Sequence, residues 1–321
     1  MQISVALALI ALTSAVPLAG QAVPAPSELP APPSTDLDIK LDHGSGRMTV
    51  PVSIGASGPF NFVIDTGAER SVISRELATM LALTAGRPVR LIGLAGAATV
   101  ETVHVPELSI STLGARNVEA PALASDNIGA RGMLGIDALQ GHRIIIDFDR
   151  LSMKVTPAGR RIRNTSPDDI LVSAKTLYGQ LIVTNARYRG QPISVVIDTG
   201  SPVTVGNQAM LNLAQRSSRS LGPISITSVT GQTLNANYVM ISDLHIAGLE
   251  FDHVPMAVAD APPFKRLGLE ATPALILGMD TMRLFRRVSI DFANRQILFS
   301  LPARRFATRG CSAGTSCSSY N

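Results

Sequence analysis

One short pattern occurs twice in the chain, and this duplication constrains the fold more than any other feature. Residues 59–72 read PFNFVIDTGAERSV and residues 192–205 read PISVVIDTGSPVTV, so a proline, an apolar run and Asp-Thr-Gly recur 133 residues apart. The β-branched run before each aspartate is typical of a buried strand. A single copy would fit an ordinary turn, since Asp, Thr and Gly are common turn residues. Two copies predict that Asp65 and Asp198 form one site, because aspartate is rarely buried without a partner.

The duplication continues downstream of both copies. Two further pairs of segments match in the same order: 93–105 with 228–240, and 132–155 with 275–299. The first pair alternates around Gly96 and Gly231, as a β-hairpin requires. The second copy is longer, and we expect its extra residues to form a Pro-containing loop within ADAPPFKRLGLEATP. Repetition on this scale predicts two similar, mostly β lobes.

The lobes are predicted to span residues 37–158 and 176–303, joined by the polar segment 159–175. A chain of 321 residues is long enough for two lobes. It is 45% hydrophobic but only 4% aromatic, so aliphatic side chains must form the core. Short helices are expected after each Asp-Thr-Gly and after each later Leu-Gly-x-Asp, within SRELATMLAL, NQAMLNLAQRS, DALQ and DTMRLF.

The first 22 residues are apolar, carry no charged side chain and end in small residues before Val23. They resemble a secretory signal peptide. The alternative is a membrane anchor, but Pro17 and the short apolar length favour cleavage. Residues 23–36 are Pro-rich and predict an extended linker. We therefore expect a periplasmic or secreted protein that is not stably inserted in a membrane after cleavage.

The cysteines and the charge limit the partners. Cys311 and Cys317 both lie in the tail, residues 304–321, and would form a disulfide in an oxidising compartment or remain two free thiols. Their spacing, without a nearby histidine, does not suit a metal site, and we predict no metal or other cofactor. The net charge of +4 is mild, and no basic block is interleaved with aromatic residues, so nucleic acid is not expected as a partner.

Two apolar residues before Asp-Thr-Gly, a glycine-tipped hairpin, and an apolar pair with glycine before a closing strand together resemble the aspartic proteases. The resemblance covers nearly the whole chain after its leader, twice. In detail the chain is similar to bacterial retropepsin-like members. DTGAERSVIS resembles retroviral proteases, whereas the duplication and LILGMDTMRLFRRVSIDF resemble pepsin. The resemblance implies a bilobal, pepsin-like acid-protease fold and a monomeric endopeptidase that cleaves polypeptides.

The resemblance also implies a role for each residue of the two motifs. Two carboxyl groups about 3 Å apart share one proton, and a water between them attacks the peptide bond. Asp65 and Asp198 would be these catalytic groups, without a metal or a covalent intermediate. The supporting residues would be Thr66, Gly67, Thr199, Gly200 and Ser201.

The supporting residues are expected to act in three ways. Thr66 and Thr199 would hydrogen-bond across the seam between the lobes. The glycines let backbone N–H groups approach the carboxylates, which a Cβ would hinder. Ser201 is expected to bond the outer oxygen of Asp198, and its counterpart Ala68 cannot do the same for Asp65.

The two hairpins would be flaps that close over a bound peptide. The candidate substrate-binding residues there are Gly93, Gly96, Thr230 and Gly231. The first hairpin lacks the tyrosine of pepsin-like enzymes, and Tyr238 lies beyond the expected tip of the second. The resemblance at this point is therefore to the paired flaps of retroviral enzymes.

The sequence also allows two alternative functions. A non-catalytic, peptide-binding pseudoprotease of the cell envelope is the first alternative, and a structural envelope protein is the second.

Four other acids also repeat in the two copies. We interpret them as turn and strand-end residues that cap or pair locally: Asp137, Asp147, Asp280 and Asp291.

Overall fold

The computed structural model describes residues 48–110, 113–164 and 166–302, without the side chains of 113–116. The predicted signal peptide (1–22), the linker (23–36) and the tail with Cys311 and Cys317 lie outside the described residues.

The elements follow one another in a regular order. Up to the predicted connection they are β1 (Thr49–Ile54), β2 (Ser57–Ile64), β3 (Val72–Ser74), α1 (Arg75–Met80), β4 (Val89–Gly93), β5 (Gly96–Val100), β6 (Thr102–Ile110), β7 (Leu113–Leu123), α2 (Ser125–Ile128), β8 (Gly132–Leu134), α3 (Ile136–Leu139), β9 (His142–Asp147) and β10 (Ser152–Pro157). From the connection onward they are β11 (Asp169–Ser173), β12 (Lys175–Leu177), β13 (Gln180–Tyr188), β14 (Gln191–Ile197), β15 (Val205–Gly206), α4 (Gln208–Ala214), β16 (Arg219–Thr227), β17 (Thr233–Ile241), β18 (Leu244–Ile246), β19 (Leu249–Phe251), β20 (Val254–Val258), α5 (Pro262–Arg266), β21 (Ala274–Leu277), α6 (Met279–Met282), β22 (Arg287–Asp291) and β23 (Gln296–Ser300).

The strands build two barrel-like lobes, which confirms the predicted fold class. The first lobe is a closed barrel in the order β1-β2-β8-β3-β7-β6. The second is a curved sheet in the order β16-β17-β20-β15-β21-β14-β13-β18-β19, with β12 also paired to β13. Among the described residues, no helix is both long and apolar enough to cross a membrane.

Each Asp-Thr-Gly follows a buried strand that is held in parallel by the strand before the Gly-x-Asp sequence. β2 pairs with β8 and β14 pairs with β21 in the same way. The bonding continues one residue further, because the N–H of Asp65 donates to Leu134 O (3.0 Å) and that of Asp198 donates to Leu277 O (3.1 Å). The parallel pairs therefore determine where each acid leaves its sheet.

The four predicted short helices are present as α1, α3, α4 and α6. α1 and α4 begin at polar caps, where Ser74 Oγ accepts from Leu77 N and Asn207 Oδ1 accepts from Met210 N. We expected the extra residues of the second lobe to form a loop. They also contain a helix, α5. Pro262 and Pro263 occupy the first turn of this helix, where proline is tolerated because those N–H groups have no partner within a helix.

A third sheet joins the lobes in the order β10-β9-β22-β23-β11. At its centre β9 and β22 run antiparallel, with Arg287 opposite Asp147 and Asp291 opposite Arg143. Both pairs form salt bridges, Arg143–Asp291 at 2.7 Å and Arg287–Asp147 at 2.9 Å. Arg143 and Asp147 of the first copy correspond to Arg287 and Asp291 of the second. Equivalent Arg–Asp pairs therefore join the lobes at two places.

These contacts correct our prediction that the repeated acids pair only locally. Asp147 and Asp291 do cap the following turns, through the N–H groups of Arg150 and Asn294. Their ion-pair partners, however, lie on the other lobe, because antiparallel pairing brings the equivalent strands face to face.

The other two acids also bond over long sequence distances. Asp137 accepts from the N–H and the hydroxyl of Ser71, and Asp280 accepts from those of Thr204. Each bond connects the start of a helix to the loop that follows Asp-Thr-Gly. Asp137 and Asp280 also accept from the N–H of the next residue, Ala138 and Thr281, so the predicted local bonds are present beside these long-range ones.

We expect Arg143→Met to lower the free energy of unfolding by about 3 kcal/mol, since it leaves the fully buried carboxylate of Asp291 without its charge partner. Urea denaturation followed by circular dichroism measures this change. Arg266→Met is the matched control, because it removes an arginine that pairs with Glu69 in the solvent-exposed setting where ion pairs contribute little. Equal losses in both variants would contradict a structural role for the inner bridge.

Candidate active site

The carboxyl groups of Asp65 and Asp198 approach each other at the seam between the lobes, where each lies against the glycine of the opposite loop. Each is the first residue after a buried strand, and Asp65 is almost fully buried. The structure thus brings together the two acids that lie 133 residues apart in the sequence. Two carboxyl groups in close contact repel when both are ionised, which favours a state with one proton on the pair.

Thr66 and Thr199 hold the two loops together through four hydrogen bonds. The N–H of Thr66 donates to Thr199 Oγ1 (3.1 Å), and the N–H of Thr199 donates to Thr66 Oγ1 (3.0 Å). Each hydroxyl then donates across the seam, Thr66 to Ile197 O and Thr199 to Ile64 O, both at 2.9 Å. The threonines are buried, so these bonds are shielded from competing water.

Backbone N–H groups surround Asp65 on its own loop. Gly67 N and Ala68 N both donate to Asp65 Oδ1, at 2.8 Å and 2.9 Å. Donation to a carboxylate stabilises its ionised form. The loop therefore supports a negative charge on Asp65.

Asp198 has an equivalent but looser set of donors. Gly200 N donates to Asp198 Oδ1 at 2.8 Å, and Ser201 N donates at 3.2 Å. The hydroxyl of Ser201 donates to Val203 O at 2.6 Å. Our prediction that this hydroxyl bonds the outer oxygen of Asp198 is therefore wrong, because the backbone carbonyl of the same turn takes the proton.

Gly67 and Gly200 lie against the acid of the opposite lobe. A Cβ on Gly67 would be 2.6 Å from Asp198 Cγ, and one on Gly200 would overlap Asp65 Cγ. No larger residue fits at either position while the two carboxyl groups remain in contact. The glycines thus allow the close approach of the loops as well as that of the N–H groups.

The pKa of Asp198 is raised well above its ordinary value. The largest cause is burial, which disfavours the charged carboxylate, followed by the negative charge of Asp65. The N–H group of Gly200 acts in the opposite direction but does not outweigh these effects. Burial and the neighbouring charge therefore keep a proton on the pair at higher pH than on an isolated aspartate.

Gln180, which sequence reasoning missed, also reaches this site. Its Nε2 donates to the carbonyl oxygen of Gly67 at 2.5 Å, from the opposite lobe. The side chain is buried, and among the described residues its Oε1 has no hydrogen-bond partner. Such an oxygen costs about 1–3 kcal/mol. The duplication contained no signal for Gln180, because Arg47 occupies the matching position of the first copy.

The two predicted hairpins are present as β4–β5 and β16–β17, and their tips touch. A Cβ on Gly93 would overlap Ser228 Oγ, and one on Gly96 would be 2.6 Å from Gln232 Oε1. Gly96 has a φ of +151°, which strongly favours glycine. The hairpins therefore meet across the seam as a pair.

The second tip also contacts the first lobe. Gly231 has a φ of +82°, and a Cβ there would be 2.9 Å from Asn127 Nδ2 of α2. Thr230 points its hydroxyl back to Ser228 and Gln232 within its own tip, both at 3.3 Å. Of the four predicted flap residues, Thr230 thus stabilises its own turn and the three glycines allow close approaches.

One apolar residue of each hairpin tip packs against the opposite lobe. Leu94 of the first hairpin packs against a second-lobe cluster that includes Ile226 and Phe264. Val229 of the second hairpin packs against a first-lobe cluster that includes Val72 and Ile128. Each tip is therefore anchored in the opposite lobe, a contact that sequence alternation alone could not indicate.

Among the described residues, one group outside the pair of aspartates has donor atoms suited to a cation. Its members are Asp243, His245 and Glu250, whose ligand atoms lie within 4.8 Å of one another. His245 Nε2 is already bonded to Asp243 at 2.7 Å, and both side chains are well exposed. The group lies on the β18–β19 hairpin, at the end of the second-lobe sheet order, rather than beside the aspartates.

We expect Asp198→Asn to stabilise the folded protein increasingly as pH rises. Below the unfolded-state pKa of about 3.9 the aspartate is protonated in both states, and the substitution changes little. Above it the unfolded chain ionises freely while the folded site resists, so the wild type loses stability through the raised folded-state pKa. Melting temperatures of both proteins across pH measure this difference, and a gap that does not widen with pH would contradict the raised pKa.

Comparison with known proteins agrees with this geometry. A family profile described as Aspartyl protease matches residues 50–138 and 184–281, which together make up more than half of the chain. The two matched segments each contain one Asp-Thr-Gly and one Gly-x-Asp sequence. No curated protein matches the chain. The chain belongs to the aspartyl protease family.

Proposed function

We propose that the protein is an aspartic endopeptidase in which Asp65 and Asp198 activate one water molecule to hydrolyse a peptide bond. The observation that carries the proposal is the close approach of the two carboxyl groups, each against the glycine of the opposite loop, with backbone N–H donors on both loops. Two repelling acids would only destabilise a protein that merely binds peptides. The family assignment supports peptidase chemistry in general.

The reaction needs one carboxylate and one carboxylic acid. The carboxylate removes a proton from water, and the resulting hydroxide adds to the carbonyl carbon of the peptide bond. The protonated partner gives its hydrogen to the carbonyl oxygen, which produces a neutral tetrahedral diol. Collapse of the diol breaks the C–N bond, with transfer of a proton to the departing amine. One water molecule is consumed, and the pair returns to its shared-proton state.

The substrate class follows from the two hairpins. Their tips meet across the seam that holds the aspartates, so a substrate must lie between the tips and the carboxyl groups. An extended polypeptide fits such a space, because it can hydrogen-bond to strand edges along its length. Entry requires Leu94 and Val229 to leave their apolar contacts in the opposite lobes.

We further propose that the enzyme acts as a monomer outside the cytoplasm. The basis for export is the apolar leader that ends near Ala22. A single chain supplies both aspartates, so the site needs no second copy.

Replacing either acid tests the function. We expect Asp65→Asn and Asp198→Asn each to lower kcat/KM on a peptide library by at least about a hundredfold, since each removes one partner in proton transfer. Pepstatin, an inhibitor of this family, is expected to block the wild type. Mass spectrometry of the cleaved peptides measures the rates.

Asp149→Asn provides a matched control, because it neutralises an exposed acid in a distant turn. Unchanged turnover in the Asp65 or Asp198 variant would contradict the enzyme proposal. A wild type that binds peptides without cleaving them would favour the non-catalytic peptide-binding function.

The pH dependence gives a second test. Since the pKa of Asp198 is raised and the hydroxyl of Ser201 bonds Val203 O instead of the carboxylate, the form with one proton on the pair persists to higher pH. Activity should therefore be greatest at mild acidity and fall as pH rises through the upper apparent pKa of the pair. Profiles of kcat/KM from about pH 2 to about pH 8 measure this. A maximum near about pH 2, as a pepsin-like pair allows, would contradict it.

A further inference from the structure

We propose that Gln180 is a positioning residue that makes Asp65 the ionised member of the pair and Asp198 the protonated member. The inference rests on the proposed function, and it assigns the general base to Asp65 and the general acid to Asp198. The assignment follows from a chain of hydrogen bonds that the described residues form on the Asp65 side of the site.

The chain begins at the amide of Gln180 and ends at Asp65. Gln180 Nε2 donates to the carbonyl of Gly67, and this carbonyl belongs to the same peptide unit as the N–H of Ala68. Ala68 N in turn donates to Asp65 Oδ1 at 2.9 Å. Donation to a peptide carbonyl polarises the unit and strengthens its N–H as a donor. Gln180 therefore stabilises a negative charge on Asp65 without touching it.

On the loop of Asp198, the described contacts are fewer. Among the described residues, no side chain donates to the carbonyl of Gly200, and the N–H of Ser201 lies 3.2 Å from Asp198 Oδ1. The position equivalent to Gln180 is Arg47, which lies outside the described residues. The two copies therefore carry different residues at this position, so the duplication does not require the two acids to be supported alike.

The orientation of Gln180 is determined by its surroundings. If the amide were rotated, Oε1 would face the carbonyl oxygen of Gly67 and the two acceptors would repel. The donor orientation leaves Oε1 buried and, within the described part of the chain, without a partner. The donor orientation therefore keeps the contact with the loop of Asp65.

The charged groups around Asp65 do not provide an alternative source of the asymmetry. Glu69 follows on the same loop, and its negative charge would disfavour ionisation of Asp65. It is paired with Arg266 of α5 at 3.0 Å, and the Arg266 guanidinium also lies over the ring of Tyr178. The pair is exposed and internally neutral, so its effect on the aspartates is small.

Two further acids are related by the duplication. Asp137 and Asp280 start the equivalent helices α3 and α6, and each accepts hydrogen bonds from the loop of its own lobe. The hairpin tips, residues 94–96 and 228–232, contain no titratable side chain.

Gln180→Met is the principal test, because methionine keeps the length and volume of the side chain but has no N–H donor. We expect kcat to fall about three- to tenfold with KM unchanged, and the acid limb of the kcat/KM profile to move to higher pH, since Asp65 then ionises less readily. Gln180→Glu, which replaces the donor with an acceptor, should move the limb further in the same direction.

A matched control is Gln296→Met. Gln296 is buried to the same extent, and its Oε1 accepts from Ile162 N at 2.9 Å in the sheet that joins the lobes. Its loss should lower the melting temperature and leave the acid limb in place. Equal kinetic changes in both variants, with no movement of the limb, would show that Gln180 is merely structural and would overturn the proposal.

A spectroscopic readout separates this proposal from the proposed function. Side-chain carboxyl carbons of ¹³C-labelled aspartate report ionisation directly by NMR, with Asp65→Asn and Asp198→Asn assigning the signals. We expect Asp65 to ionise at lower pH than Asp198 in the wild type, and this gap to narrow in Gln180→Met. Ionisation of Asp198 first would overturn the proposal, even if Gln180→Met failed to fold. Pepstatin-sensitive cleavage with an unchanged titration order in Gln180→Met would leave the function standing and reject Gln180 as its tuning residue.

Discussion

The reciprocal hydrogen bonds between Thr66 and Thr199 are the interaction on which the rest of the site depends. Two carboxyl groups in contact repel whenever both are ionised, so the loops that carry them need an attachment that does not involve the acids. The threonines supply it, because each accepts from the opposite N–H and donates to the opposite strand. These bonds set the separation between the two carboxyl groups, and one proton is enough to bridge them.

A second attachment lies in the sheet that joins the lobes. β9 and β22 meet at the pseudo-twofold axis, and the Arg143–Asp291 and Arg287–Asp147 bridges flank it on either side. The two lobes are thus attached at two separate places, the threonine hydrogen bonds and the joining sheet. Together these attachments restrict the hinge motion that either one alone would permit. The hairpin tips remain the parts that must move, and they are held by apolar contacts rather than by ion pairs.

The sequence was most informative where the two lobes repeat each other. The strands before Asp65 and Asp198, the helices after them and the two hairpins all follow from patterns that occur twice. The direction of the Ser201 hydroxyl, the bond from Gln180 and the crossing of Leu94 and Val229 do not repeat as patterns. They depend on how closely two surfaces approach, which alternation and spacing do not encode. The partners of Asp147 and Asp291 were missed for the related reason that strand register between lobes is a tertiary property.

Duplication within one chain gives this site a freedom that two identical subunits lack. Identical subunits must surround both acids alike, whereas here the two copies have diverged. The copies differ at the loop of Asp65, where Gln180 of the second lobe reaches Gly67 O. Within the described residues, no side chain of the first lobe makes the matching contact to Gly200 O. A loop held from both lobes keeps its N–H donors aimed at one carboxylate, and a general base needs this preorganisation more than its protonated partner does. The asymmetry of the scaffold therefore has the direction that the chemistry requires.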